Sequence, residues 1–181
     1  MQVFAAKGYH GTTVDDIVAA SATSKGAFYH YFSSKQDIFL TLVDSLAALV
    51  EVGAEAAIAG ETTGLAKVEA ALRVVLETAD AHRDLVKILL VEAVGLGPEL
   101  EQKRLEIHRR FAAVIRRHLD HAIAEGAIPP QNTALASQAW LGMLNEVITQ
   151  WLVAEDGRVT DHLPDLRVLL LRSIGVKEMS R

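Results

Sequence analysis

Residues 12–35 read Thr-Thr-Val-Asp-Asp-Ile-Val-Ala-Ala-Ser-Ala-Thr-Ser-Lys-Gly-Ala-Phe-Tyr-His-Tyr-Phe-Ser-Ser-Lys, two short helical patterns set on either side of a few small polar residues. The first pattern begins at Thr13, whose hydroxyl suits an N-cap. Asp15 and Asp16 follow in the turn where a carboxylate complements the positive end of the helix dipole. Val14, Ile17 and Val18 recur at helical spacing and form the buried stripe. Ser21, Ala22 and Thr23 make the turn, and Ser24 caps a second helix from Lys25 to Tyr31. Phe28 and Phe32, one helical turn apart, point into the core and leave Lys25, Gly26, Ala27, Tyr29 and His30 facing outward. The unit is a helix-turn-helix. Its outer face, with a cation, a glycine and two aromatic rings, suits close approach to a groove and its phosphates.

Working outward, Ala5-Ala6-Lys7-Gly8-Tyr9, Gly11-Thr12-Thr13-Val14, Asp16-Ile17, Ala20, Ser24-Lys25-Gly26-Ala27, Tyr29, Tyr31-Phe32 and Lys35 resemble, at matching spacings, the tetracycline-repressor (TetR) type of bacterial transcriptional regulators. The sequence departs from that pattern in the turn, where Ala22 and Thr23 stand in place of the usual Gly and Val. Alanine tolerates positive φ less well than glycine, so a strained turn is expected. The resemblance also implies a first helix that starts a turn or two before Met1, so the N-terminus is expected to be truncated. Beyond residue 45 the resemblance is architectural only.

The composition narrows the function. With 181 residues and 50% apolar content the chain can bury a substantial core. No run of apolar residues is long enough to span a bilayer and no signal peptide precedes the motif, so a soluble, cytoplasmic protein without membrane association is expected. The absence of cysteine excludes disulfides and thiolate metal sites. The net charge of −5 speaks against a nonspecific nucleic-acid coat. Residues 1–45 themselves carry three cations (Lys7, Lys25, Lys35) against four anions (Asp15, Asp16, Asp37, Asp44). Phosphate contact must then rely on helix N-termini, hydroxyls and a few well-placed lysines.

In chain order, Met1 to Lys7 is a helical segment whose Val3, Phe4 and Ala6 should cover the two motif helices, and Gly8 ends it. Ser33 or Ser34 caps a long helix running to Ala59 and stopping at Gly60. Thr62 or Thr63 caps the next, with Leu65, Val68, Leu72, Val75, Leu76 and Ala79 as its stripe, and His82-Arg83-Asp84 interrupts it. Leu85 to Val94, apolar on most sides, is expected to be a short helix inside a bundle. A break at Gly95-Leu96-Gly97-Pro98 leads into a helix ending at a Gly126 cap, and Ile128-Pro129-Pro130 is a hard stop. Asn132 caps a helix to about Glu155, and Thr160 or Asp161 starts a last one ending at Gly175. The expected fold is all-α, with about nine helices. A three-helix DNA-binding head (1–45) is joined by the long helix to a C-terminal effector-binding and dimerisation bundle (46–181).

Ala139, Trp140, Met143, Leu144, Val147, Ile148, Trp151 and Leu152 make a wide apolar surface, repeated by Leu166, Val168, Leu169, Leu170, Leu171 and Ile174. The surplus points to a homodimer through the last two helices, as the resemblance also implies; the alternative is two central helices of a monomeric bundle. The bundle helices, apolar on most faces but interrupted by Glu92, His108, Trp140 and Asn145, nominate these four, together with Phe111 and Met143, as contacts of a small apolar or amphipathic effector. His118, His121 and Glu125 have metal-like spacing but no second cluster of ligands, so no metal and no cofactor are expected. Arg104, Arg109, Arg110, Arg116 and Arg117 with Lys103 form a basic face that answers the acidic remainder of the chain. No catalytic constellation is in recognisable context, so an enzyme is not expected.

On the motif helices, Lys25 is placed to donate to guanine O6 or N7, Ala27 to pack on a thymine methyl, and Gly26 to let the backbone come close. Ser24, Tyr29, His30 and Tyr31 would meet phosphates or the groove wall, while Thr13 and Lys35 clamp the backbone on either side. The resulting expectation is a ligand-responsive regulator that binds a palindromic double-stranded operator, with a repressor released by its effector favoured. The alternative is a helical small-molecule carrier or enzyme with a degenerate head.

Overall fold

The computed structural model describes residues 2–92, 97–154 and 156–176, and all regular structure among them is helical. In order these are α1 (Gln2–Gly11), α2 (Val14–Ser21), α3 (Lys25–Tyr31), α4 (Lys35–Ala59), α5 (Gly64–Ala81) and α6 (Arg83–Lys87). A π-helical turn (Ile88–Glu92), α7 (Pro98–Ala124), α8 (Thr133–Ala154), a 3-10 turn (Val159–His162) and α9 (Leu163–Ser173) follow.

Local chemistry sets most of the boundaries. Thr13 caps α2 in a reciprocal box, its hydroxyl accepting from the Asp16 amide while the Asp16 carboxylate accepts from the Thr13 amide. Ser24, Ser34 and Thr63 cap α3, α4 and α5 through the amides of Ala27, Asp37 and Ala66. The Asn132 side chain accepts from the Leu135 amide at 3.1 Å at the start of α8. α4 ends at Ala59 before Gly60, as its sequence predicts. In α1 the helical backbone breaks at Gly8 (φ 66, ψ 176) and resumes, so the expected terminator acts as a kink.

Three helices form the head around Phe4, Ile17, Phe28 and Phe39, all buried. The Phe4 and Tyr9 rings lie 5.2 and 5.1 Å from Phe39, which belongs to α4, so the long helix carries part of the head's own core. Val3 is half-buried as expected, whereas Ala6 is exposed and covers nothing. α4 then packs along α5 and α7; α7 packs on α8, and α5 on α9. α1 also packs against α6 and the π turn, which gives head and bundle a second junction besides α4.

Polar side chains stitch the bundle where helices meet. Arg110 of α7 reaches Asp44 at 2.6 Å and Glu51 at 2.7 and 2.9 Å on α4. The Asp80 carboxylate of α5 accepts from the Val159 amide at 3.0 Å and the Thr160 hydroxyl at 2.8 Å, holding the 3-10 turn. Arg167 of α9 reaches Glu69 at 3.0 Å, and the Trp140 indole N–H donates to Ser173 at 2.9 Å.

Three boundaries differ from expectation. The single helix expected over Leu85 to Val94 is divided into α6 and the π turn, with residues 93–96 outside the described residues, as is Glu155 at the expected end of α8. Thr160 and Asp161 lie in the 3-10 turn, and α9 starts at Leu163 because Pro164 occupies its first turn, where a missing N–H costs no helical bond. α9 also ends at Ser173, before the positive-φ Gly175.

Ala22 has φ 52 and ψ 31, alone among the described non-glycine residues in the left-handed region. Its turn is held by Ser21, whose hydroxyl reaches the Ile17 carbonyl at 2.8 Å and the Thr23 hydroxyl at 2.8 Å, and by Thr23 N–H on the Val18 carbonyl at 3.3 Å. Left-handed backbone costs an L residue about 1–2 kcal/mol, of which glycine's extra unfolded-state freedom takes back a part. Ala22→Gly is therefore expected to stabilise the protein by about 1 kcal/mol in urea unfolding, with an unchanged denaturant slope.

Candidate nucleic-acid interface and effector cavity

α2 and α3 form a compact step whose outer surface carries exposed Ser24, Lys25, Gly26, Tyr29, His30 and Tyr31, with Ala27 half-buried between them. Tyr31 is 75% exposed and Tyr29 54%, unusual for side chains of that size, and the His30 and Tyr31 rings meet edge-on at 4.9 Å. Phe28 anchors the helix underneath, with Phe32 5.7 Å away.

All three lysines of the head are engaged within the chain. Lys7 Nζ lies 2.6 Å from Asp16, and Lys25 Nζ lies 2.8 Å from Asp15 across the motif. Hydrogen bonding to Asp15 holds the Lys25 ammonium above the usual lysine range. Lys35 differs from the expectation drawn from its position. Its ammonium turns inward, donating to the Tyr9 and Thr12 carbonyls at 2.7 and 2.8 Å and lying 4.4 Å from the Tyr9 ring centroid. The Tyr9 carbonyl in the last turn of α1 and the Thr12 carbonyl in the loop after it are end-of-helix acceptors in want of a donor, and they take up the cation that was expected to clamp DNA. Thr13 is occupied in its cap, though its side chain remains at the surface.

The bundle holds a cavity of about 510 Å³ walled by α4, α5, α7 and α8. Its deep part is apolar and buried, with Val43, Leu46, Leu72, Trp140, Leu144 and Ile148 in its walls. Its exposed lining lies at the end far from the head: Thr62, Gly64 and Leu65 at the α4–α5 turn, His121, Glu125 and Ala127 at the end of α7. Of the six residues expected to meet an effector, Phe111, Trp140 and Asn145 line this cavity. Glu92, His108 and Met143 do not. Met143 packs on the core at the side of α8, and the Glu92 carboxylate lies 3.2 Å from where a Cβ on Gly8 would stand, against the kink of α1. Glu51, Lys67, Thr78 and His118 also line the cavity and were not anticipated. A signal for them was available: Ala47 and Ala54 on α4 face Ala71 and Ala79 on α5, and small residues on two facing stripes leave volume unfilled.

The surplus apolar surface expected on α8 is smaller than the sequence implied. Of the residues named for the seam, Trp140, Leu144, Ile148, Trp151 and Leu152 are buried in the protomer's own core, because α8 is central. Leu135, Ala139, Gly142 and Val153 remain exposed along one side of α8, with Leu169 on α9. Among the described residues no group of three or more His, Asp or Glu is arranged to hold a metal ion, and no helix is long and apolar enough to cross a membrane.

A helix-turn-helix with an exposed second helix, carried on a long helix that also walls an apolar cavity, defines a DNA-binding transcriptional regulator. The family model described as bacterial regulatory proteins, tetR family, matches residues 1–42, and one described as tetracyclin repressor-like, C-terminal domain, matches residues 61–162, so the chain belongs to the TetR family. An uncharacterized HTH-type transcriptional regulator of Lactococcus lactis is 46% identical over 44 residues, 24% of this chain and 22% of that one. The fatty acid metabolism regulator protein of Bacillus subtilis is 25% identical over 154 residues, 84% of this chain and 79% of that one. Among solved structures, the fatty acid degradation regulator FadR from Bacillus halodurans superposes with a TM-score of 0.86 at 23% identity, covering 97% of this chain and 92% of that one. FadR from Bacillus subtilis, in complex with stearoyl-CoA, gives 0.84 at 24%, covering 96% and 94%. These structural likenesses establish a shared fold.

The capping box carries a pH dependence. Hydrogen bonds from Lys7, and then from the Thr13 amide and hydroxyl, hold the Asp16 carboxyl down to about 2. The stability it contributes is complete above pH 3.8, the ordinary value for the unfolded group, and is lost as the pH falls towards 2. The melting temperature of wild type should therefore exceed that of Asp16→Asn at pH 5, with the difference closing as the pH falls from 4 to 2; a difference constant over that range would contradict this account.

Proposed function

We propose that this chain is a homodimeric, ligand-responsive repressor. Residues 1–45 bind a palindromic operator, and residues 46–181 dimerise and hold a single-chain amphiphile of the fatty acyl-CoA class whose binding releases DNA. The observation that carries this reading is the cavity of about 510 Å³, apolar and buried at depth and rimmed by ionisable groups at its exposed end. Its size falls within the range of about 300–1,000 Å³ typical of small-molecule sites. Such a shape suits a ligand that enters tail first and leaves its polar group at the rim. The fatty acyl class is supported by the likeness to the Bacillus subtilis regulator of fatty acid metabolism and to the FadR bound to stearoyl-CoA.

The route to DNA is short. α4 walls the cavity through Val43, Ala47, Val50 and Ala54 and carries Phe39 of the head core. Leu89 and Leu90 of the π turn also line the cavity, and that turn packs on α1. Two heads must sit about 34–36 Å apart to enter successive major grooves, so a tail that shifts either junction disfavours the DNA-bound spacing. By linkage, stearoyl-CoA should weaken binding to a duplex selected from a random pool by the same factor by which that duplex weakens stearoyl-CoA binding, within about 5- to 150-fold. Intrinsic fluorescence with Trp140 in the cavity wall measures one side and fluorescence anisotropy of labelled duplex the other. Equal stearoyl-CoA affinity with and without DNA would sink the mechanism.

The dimer is assigned to the outer side of α8 with α9, where Ala139 and Gly142 allow two helices to approach closely. Gly142 is exposed and a Cβ there meets no atom within 4 Å in the protomer, so a side chain at this position has room to extend into solvent. Gly142→Arg is expected to convert the dimer to a folded monomer in sedimentation, with selected-duplex binding weakened at least about 100-fold through loss of the second head. A dimer that persists in this variant would place the seam elsewhere.

A further inference from the structure

We propose that Asp15 is a specificity-determining residue of the DNA-reading head: its carboxylate holds the Lys25 ammonium so that it serves a base edge and is withheld from backbone phosphates. The inference rests on the assignment of Lys25 to the groove-facing surface.

Nonspecific affinity for DNA grows with the number of phosphates that lysine and arginine neutralise. Residues 1–45 contain no arginine and only Lys7, Lys25 and Lys35. Lys35 is committed to two backbone carbonyls and Lys7 to the capping-box carboxylate. Lys25 differs from both. Its side chain is 58% exposed, that of Asp15 is 72% exposed, and the two meet at 2.8 Å on the same surface as exposed Tyr29 and Tyr31. An ion pair so open to solvent adds little to folding. Asp15 is also not the residue that caps α2, a task done by Thr13 with Asp16. Its remaining structural contribution, a carboxylate in the first turn of α2 facing the positive end of the helix dipole, is small at so exposed a position and does not call for the contact with Lys25.

At a DNA surface the pair acts differently on the two kinds of acceptor. An ammonium has three N–H donors, so Lys25 can keep one on Asp15 and give the others to the neutral acceptors of a guanine edge. Beside a phosphate the same arrangement brings Asp15 against a second anion, and releasing Asp15 leaves its charge facing the polyanion. The carboxylate thus subtracts more from backbone-driven binding than from base-directed binding, and the difference is discrimination.

The test uses the full chain, a duplex that wild type selects from a random pool, and a scrambled duplex of the same composition, each at two salt concentrations. Asp15→Asn and Asp15→Ser should lower the melting temperature at pH 7 by no more than about 3 °C, the loss of one first-turn charge from α2. Each should tighten the scrambled duplex about three- to tenfold, with a salt slope steeper by about one per head. The selected duplex should change less than about twofold, so the specificity ratio falls, and in a Lys25→Gln background the effect on the scrambled duplex should shrink to less than about twofold. Equal tightening on both duplexes, or an undiminished effect without Lys25, would show a general charge effect and overturn the proposal. Wild type that enriches no duplex would overturn the assignment of the head itself, and the proposal with it.

Discussion

The Lys35 ammonium, at the first residue of α4, joins the two parts of this molecule. Its bonds to the Tyr9 and Thr12 carbonyls fasten the last turn of α1 and the loop after it to the helix that runs on into the bundle. Thr12, buried, completes the fastening by donating its hydroxyl to the Gly8 carbonyl at 2.7 Å. Without the ammonium the Tyr9 and Thr12 carbonyls would be left unmatched in a half-buried place, at a cost of about 1–3 kcal/mol each. Phe39 enters the head core on the next turn of the same helix, so the head's apolar centre and its polar hinge are both parts of α4. Movement of α4 is therefore movement of the head.

The bundle side of α4 is held just as specifically. Arg110 spans Asp44 and Glu51, and further along Glu55 receives Arg117 and, at 3.4 Å, His118. These contacts all join α4 to α7, on a face separate from the alanine-rich contact with α5. The cavity opens where the alanines leave side-chain volume missing, and it reaches the ion-paired face at Glu51 and His118, which line it. Displacement of α4 relative to α7 has to break charged hydrogen bonds, whereas the lining of the cavity between α4 and α5 is mostly apolar, with Lys67 and Thr78 as its polar members on α5. Glu51 belongs to both systems, lining the cavity while bound to Arg110.

Much of this was legible in the sequence because capping chemistry is local. Thr13, Ser24, Ser34, Thr63 and Asn132 each do what a hydroxyl or amide at a helix start does, and the Ala22 strain follows from one residue type at one turn position. What was not legible depends on which helices meet. Lys35 reads as an exposed cation until the α1–α2 loop is placed beside it. Glu92 reads as a polar interruption of an apolar run, yet it lies against Gly8 of another helix. Trp140, Leu144 and Ile148 look like seam residues until α8 proves to be central. Periodicity tells which residues share a face and is silent on what that face touches. The alanines that make the cavity carried a signal of a different kind, in volume.

An acidic protein with a head whose lysines are all engaged has little affinity to draw from counterion release at any single site. In the proposed dimer, binding by one head would be weak, and occupancy would depend on two heads reaching two half-sites at once, where the second contact is made at a high effective concentration only if the spacing fits. That dependence makes the proposed mechanism economical: a spacing error too small to disturb either head's own contacts still removes the second contact. A head richer in free cations would hold DNA even when the spacing was wrong. Under the proposed mechanism, engaged lysines and control by geometry are thus two consequences of one choice of charge in the first helices of the chain.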